Sequence, residues 1–300
     1  MHPPEPTRAP PLPAWLASEY PFTRFLLDLP EGPLSYVDEG DGFPIVMLHG
    51  NPMWGFLWRH IMAPLRDHGF RIIVPDLYGF GASAKPAHPN DHQLEGHVNA
   101  IATLLKRLNL SGVHLMAQDW GGPILLGAAM RSGVHPHGVT LGNTAVLKPR
   151  SQLKPTLFHR FSHLPVISDV VFRGLMFPIP VLGRVQGNPK SLSWAAYRAY
   201  SHWFWNPKER SGPLGLARMV PNRQDHPSLP LLSAIAEFVT SLECPMHLIW
   251  GTRDPILGRT LKRHRETLSQ AIVIETDAGH FLQEEVPSAF VNAVLDCGHQ

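Results

Sequence analysis

The strongest constraint on the fold is an alternation that starts near residue 22. Short β-rich runs give way repeatedly to longer stretches whose apolar residues fall three and four apart. FTRFLLDL and PLSYVDEG open the series; IVMLHG at 45–50, RIIVPDL at 71–77, VHLMAQ at 113–118 and GVTLGNT at 138–144 read as further strands. FLWRHIMAPLRDHG, EGHVNAIATLLKRLNL and GGPILLGAAMRS between them read as helices. Several of these strands are almost wholly apolar, so neither face can be left to water. Strands of that kind belong to a mostly parallel sheet covered by helices on both sides. The alternation returns at residue 244 with CPMHLIWG, LKRHRETL, AIVIETD and SAFVNAVLD.

Between residues 148 and 230 the pattern stops, and proline explains why. The chain holds 31 prolines in 300 residues, about twice the usual roughly 5%. Seven fall in residues 1–21 and eleven in residues 149–230. Helical pieces such as LSWAAYRAYSHWFW, rich in aromatics (Phe158, Phe161, Phe172, Phe177, Trp194, Trp203, Trp205), are cut by these prolines into short lengths. The expected organisation is a Pro-rich arm at 1–21, a core in two pieces at 22–147 and 231–300, and a helical cap at 148–230. The arm reads as extended chain before the first strand, and the cap aromatics as cap core more than as ligand contacts.

Charge excludes some classes of partner. Lysine and arginine exceed the acids by two, 26 against 24, and no long basic run marks a nucleic-acid or anionic-membrane surface. The cluster Lys262, Arg263, His264, Arg265 reads as a solvated helix face. No apolar run reaches the 18 or so residues of a membrane span, and the Pro-rich start lacks a signal-peptide core. The expectation is a cytoplasmic protein in which Cys244 and Cys297 are free thiols.

Chemistry concentrates where strands end. VHLMAQ runs into Asp119-Trp120-Gly121-Gly122-Pro123, so a strand passes into a helix within about two residues. Such a turn has the shape of a nucleophile elbow, with backbone N–H groups at the helix start able to hold an anion. Asp119 alone fits an ordinary helix N-cap as well as a nucleophile. Two later residues decide between them. HLIWG runs into Asp254 and IVIETD runs into His280, placing an acid and a base at strand ends, where open parallel sheets bind ligands. Nucleophile, acid, histidine is the chain order of α/β-hydrolases. Asp76, in PDLYGFGAS, precedes the elbow and reads as a loop-shaping residue among Gly79, Gly81 and Ser83. After IVMLHG, the glycine of His49-Gly50-Asn51-Pro52 lets the backbone pass close to the elbow. The next N–H can pair with that of Trp120 as an oxyanion hole. The Asn51 side-chain amide and the Trp120 indole are two neutral donors suited to a halide, though a turn residue and a packed aromatic are their plain alternatives.

These residues resemble the haloalkane dehalogenases of the α/β-hydrolase superfamily. The likeness runs from about Tyr20 through YVDEG, HGNPMWGFLWR, PDLYGFGASAKP, AQDWGGP, LGNT, WGTRDP and AGHFLQEEVP. It implies an α/β-hydrolase fold with Asp119 as nucleophile, His280 as the base that activates water, Asp254 as the acid that holds the imidazole, and Asn51 with Trp120 as halide donors. The pattern is similar to the family's third subfamily. That implies homo-oligomerisation, a small apolar halogenated substrate with water as co-reactant and halide as product, and no metal or organic cofactor. Met53-Trp54-Gly55 departs from the family's usual Thr-Trp-Ser, and the N-terminal arm is longer. The nearest alternative is an epoxide hydrolase sharing Asp119, Asp254 and His280, with cap tyrosines Tyr197 and Tyr200 protonating the epoxide oxygen. A fluoroacetate dehalogenase would carry arginine where Trp120 stands. A non-catalytic ligand-binding relative could lose part of the triad, and all three members are here.

Overall fold

The computed structural model describes residues 5–149 and 157–298. The first four residues of the arm and residues 150–156 of the Pro-rich segment lie outside them. The alternating pattern becomes β1 (Thr7–Arg8), β2 (Arg24–Leu27), β3 (Leu34–Glu39), β4 (Pro44–Leu48), β5 (Arg71–Pro75), β6 (Gly112–Asp119), β7 (His135–Thr144), β8 (Met246–Gly251) and β9 (Ile272–Thr276). They form one sheet in the order β1, β2, β3, β5, β4, β6, β7, β8, β9. The pairings among β1, β2, β3 and β5 are antiparallel, and those from β5 to β9 are parallel.

Burial accounts for the parallel half. Ile45, Val46, Met47 and Leu48 of β4 are all fully buried, and alternate residues of a strand face opposite ways, so both faces are covered. The helices are α1 (Ala14–Glu19), α2 (Arg59–Asp67), α3 (Leu94–Arg107), α4 (Gly121–Ser132), α5 (Leu157–Ser162), α6 (Ile167–Asp169), α7 (Trp194–Ser201), α8 (Ser211–Arg218), α9 (Ser228–Thr240), α10 (Leu261–Thr267), α11 (Leu282–Glu285) and α12 (Pro287–Leu295). One group on the sheet joins α3, α4 and α9, and another joins α2, α11 and α12.

Strand order places the site. The chain leaves β4 for β5 on one side and later crosses to β6 on the other. At such a switch point the loops leaving the strands diverge and open a crevice at their carboxyl ends. Asn51 follows β4 and Asp119 ends β6, so both stand at that crevice.

Two readings need correction in detail. The arm does not run extended to the first strand: β1 adds an edge strand to β2, and α1 buries Leu16 completely. In α10, Lys262 and Arg265 are exposed, but His264 turns inward, its Nδ1 2.9 Å from the Thr260 carbonyl and its Nε2 accepting from the Val146 N–H at 3.3 Å. The period of α10 puts His264 on the same side as Leu261, which is also buried. No helix of the described residues is long and apolar enough to cross a membrane.

Between β7 and α9 the short helices make a small core of their own from Phe172, Leu214 and Ala217, with Phe158, Phe161 and Phe177 packed on it. Trp194 and Trp205 are exposed, while Trp203 packs against the main core. Polar ties join this segment to the sheet domain. Trp54 donates to the Ala199 carbonyl at 3.1 Å. Arg59 forks onto Glu284 at 2.6 and 2.9 Å, and the Tyr200 hydroxyl donates to the same carboxylate.

Candidate active site

The elbow is strained where a nucleophile elbow should be. Asp119 sits at φ +51°, a left-handed conformation that costs a residue with a Cβ about 1–2 kcal/mol. Its neighbours hold it there. Thr144 Oγ donates to the Asp119 carbonyl at 2.6 Å. A Cβ on Gly50 would stand 2.4 Å from both Cβ and Oδ1 of Asp119, so only glycine lets the two loops approach. That approach brings the Asn51 N–H to 2.8 Å from Asp119 Oδ1. The Trp120 N–H also donates to the carboxylate. Burial raises the Asp119 pKa above the ordinary carboxylate value, and the Asp254 charge adds to the rise. His280 and the two backbone donors oppose them without cancelling the shift.

The structure brings the base and acid of the sequence analysis to the same place. His280 Nδ1 is 2.9 Å from Asp254 Oδ2, and Asp254 Oδ1 accepts the Ile256 N–H at 2.7 Å. On the other side, His280 Nε2 lies 3.8 Å from Asp119 Oδ2. Burial pulls the imidazole pKa down, but the Asp254 charge and hydrogen bond, with Asp119, outweigh it and hold the value above the ordinary one. Because Asp254 can only accept, the neutral imidazole carries its proton on Nδ1 and presents a bare Nε2 to Asp119.

Asn51 and Trp120 converge on Asp119 with different degrees of freedom. One hydrogen of the Asn51 amide is committed to the Pro213 carbonyl of α8 at 3.0 Å, leaving the other for a ligand. The indole N–H of half-buried Trp120 makes no hydrogen bond among the described residues. Asp76 does what its glycine-rich loop suggested: it accepts from the N–H groups of Gly55 and Ala82 at 2.8 and 3.1 Å. One of the departures from the family pattern, Gly55, sits in close quarters. A Cβ on Gly55 would lie 2.8 Å from the hydroxyl of Tyr20 and 3.2 Å from Asp76 Oδ1, so Tyr20 fills the space a larger residue would need.

Sequence reasoning passed over three features. Asn143, quoted within LGNT without a role, donates to the Gly279 carbonyl at 2.8 Å and accepts the Gly251 N–H at 2.9 Å, tying the acid loop to the histidine loop. Gln118, adjacent to Asp119, reaches His280. A buried chain runs from Ser211 to His92 at 3.0 Å and on to His97 at 3.2 Å, resembling a second nucleophile with its base. It is not one. The Ser211 hydroxyl donates to the Pro86 carbonyl at 2.5 Å, so His92 Nε2 must be the donor and its lone pair is unavailable to Ser211.

A sharp elbow bearing an acid at the switch point of a mainly parallel sheet defines an α/β-hydrolase, and the model for the alpha/beta hydrolase fold matches residues 44–156. Haloalkane dehalogenase 2 of Mycobacterium tuberculosis is 32% identical over 283 residues, which are 92% of this chain and 95% of that protein. By that likeness the chain belongs to the haloalkane dehalogenase family. A cis-3-alkyl-4-alkyloxetan-2-one decarboxylase of Xanthomonas campestris is also 32% identical, over 292 residues, with 92% of this chain and 95% of that protein covered. Among solved structures, haloalkane dehalogenase DatA of Agrobacterium tumefaciens C58 superposes with a TM-score of 0.76 at 26% identity, covering 89% of this chain and 92% of its own.

Proposed function

We propose that the protein converts haloalkanes to alcohols and halide through an ester on Asp119, with His280 and Asp254 driving its hydrolysis and Asn51 and Trp120 receiving the halide. One observation carries the reading: Asp119, His280 and Asp254 stand in a single line, with a backbone N–H on one nucleophile oxygen and the other oxygen facing the base.

Oδ1 is held by Asn51, so Oδ2 attacks. A C–O bond forms at the sp³ carbon as the carbon–halogen bond breaks, and the bonding pair leaves with the halide. The Asn51 amide and Trp120 indole take up that charge, worth most where water is excluded. Water then gives a proton to His280 Nε2, and hydroxide adds to the ester carbonyl. The Asn51 and Trp120 N–H groups hold the resulting oxyanion. Collapse expels the alkoxide, which takes the proton from the imidazolium, and the carboxylic acid left on Asp119 gives up its own proton to solvent, so that one proton is released with each halide. Asp254 fixes the tautomer and stabilises that cation. The 148–230 segment acts as the cap, its Pro213 carbonyl orienting the Asn51 amide from above.

One of the two cap tyrosines weighs against the epoxide reading. Tyr200's hydroxyl donates to Glu284, and burial followed by the Glu284 charge raises its pKa well above the ordinary value, making it a poorer acid. Tyr197's hydroxyl accepts the Gly183 N–H at 2.8 Å, which leaves its own hydrogen free and does not bear on that reading. A second reading has the decarboxylase relative in its favour. An oxetan-2-one offers Asp119 a strained sp³ C–O bond, with a carboxylate leaving in place of halide. Loss of CO₂ as the Asp119–carbon bond breaks would give an alkene without water activation. Halide release from a bromoalkane panel, assayed with wild type and Asp119→Ala beside CO₂ release from a dialkyl oxetanone, tests both. No halide from any bromoalkane with CO₂ formed would replace the first reading by the second.

A further inference from the structure

We propose that Gln118 is a positioning residue for the base: its buried side-chain amide donates to His280 Nε2 and holds the imidazole as the neutral, Nδ1-protonated tautomer. Its place in catalysis rests on the reading of Asp119 and His280 given above, although the contact itself does not.

Gln118 is fully buried, one residue before the nucleophile. Its Nε2 lies 3.1 Å from the His280 carbonyl and 3.2 Å from His280 Nε2, and its Oε1 has no partner. The carbonyl settles which way the amide points. A carbonyl oxygen only accepts, so the NH₂ must face it; turned over, Oε1 would meet that oxygen lone pair to lone pair. In the settled orientation one hydrogen serves the His280 carbonyl and the other is directed at Nε2. The acceptor Asp254 Oδ2, 2.9 Å from Nδ1, keeps the ring proton on the far side. Both nitrogens are thereby assigned by the groups they face.

The arrangement opposes protonation of the resting base. Asp254 and Asp119 are the charged groups acting on the ring, and both favour the imidazolium. From the segment above, Val185 offers only a neutral carbonyl to the His280 N–H at 2.7 Å. Glu285 is occupied by the N–H groups of Gly279, Gly187 and Asn188. Among the described residues Gln118 alone sets a donor against Nε2, and an Nε2–H would meet it hydrogen to hydrogen. Gln118 thus holds the His280 pKa below the value that two flanking carboxylates alone would set, and its hydrogen must yield the single Nε2 lone pair before that nitrogen takes a proton from water.

The test titrates His280 in the full chain labelled with ¹⁵N-histidine, its signals assigned by their loss in His280→Phe. In wild type the nitrogen shifts are expected to show Nδ1–H with a hydrogen-bonded, unprotonated Nε2; an Nε2–H tautomer overturns the proposal without any variant. Gln118→Met removes the donor at similar length and should raise the His280 pKa by about one unit, as loss of one hydrogen bond to the neutral form predicts. Gln118→Glu should raise it further. The first halide released per enzyme should keep its rate, while the acid limb of alcohol release moves up with the pKa. A purely packing role would change the melting temperature and leave the titration in place; superimposable titrations in folded Gln118→Met overturn the proposal. The titration needs no turnover. A shifted pKa without halide release therefore defeats the dehalogenase reading and leaves the Gln118 assignment standing.

Discussion

Replacing Asp254 by asparagine separates the two halves of the proposed reaction. The Asp254 side chain is fully buried and uses both oxygens, one toward His280 and one toward the Ile256 N–H. Asparagine has one oxygen for two donors. If the oxygen stays on Ile256, the NH₂ faces Nδ1 and drives the ring proton to Nε2, where it meets the Gln118 amide. If it stays on His280, two N–H groups collide at Ile256. Either way the carboxylate charge beside the ring is lost. Unit charges about 4 Å apart attract by about 4 kcal/mol at an effective dielectric of 20, roughly three powers of ten in rate. The wrong tautomer brings the expected loss in hydrolysis to about 10⁴, the size seen for the equivalent change in a serine protease. Alkylation does not use His280, so the first equivalent of halide should still be released. Rapid-mix halide detection with intact-mass analysis is the assay: a burst of one halide per enzyme, then near-arrest with the alkyl adduct retained. Steady-state turnover within tenfold of wild type and no adduct would refute the assigned roles of Asp254 and His280.

Three further outcomes follow. Trp120→Phe removes one donor to a charged ligand, about 1.5–3 kcal/mol, so bromide should bind roughly ten to a hundred times more weakly as a product inhibitor; an unchanged inhibition constant would place the halide elsewhere. Glu284→Ala leaves Arg59 charged, 8% exposed in its side chain and without its carboxylate. The expected cost is about 3–5 kcal/mol of unfolding free energy, read from guanidinium denaturation, and a change below about 1 kcal/mol would contradict the buried lock. Burial lowers the pKa of His92 to about 4 and lowers those of His97 and His49 as well. The unfolded chain binds these protons first, so their contribution is complete above about pH 6.5 and is lost as pH falls from there toward 4. For His92 alone that is about 3 kcal/mol. His280, with its pKa raised, works in the opposite sense, its contribution fading as pH rises through the folded value. Urea midpoints at pH 7.5 and pH 5 check the balance, and an equal or higher midpoint at pH 5 would show that these histidines are not buried as described.

What the sequence revealed and what it concealed divide along a physical line. Strands and helices declare themselves by period, and the helix over 121–132 begins and ends where its pattern does. The candidate triad was legible because each member follows a strand, and in a parallel sheet all carboxyl ends lie on one edge. Position along the chain therefore became position in space. Gln118 and Asn143 have no such marker. Each lies in a strand whose inward residues are mostly apolar, and its importance comes from a partner 162 or 136 residues away. Only the fold brings an amide to that partner. The Ser211, His92 and His97 chain teaches the converse: three residues of catalytic type, in contact, are disarmed by one carbonyl that fixes the direction of every hydrogen bond. For Gln118 a single carbonyl does the opposite in the proposed arrangement, turning an inert buried amide into a donor aimed at His280. In both places residue identity left the chemistry open, and the direction of the proton decided it.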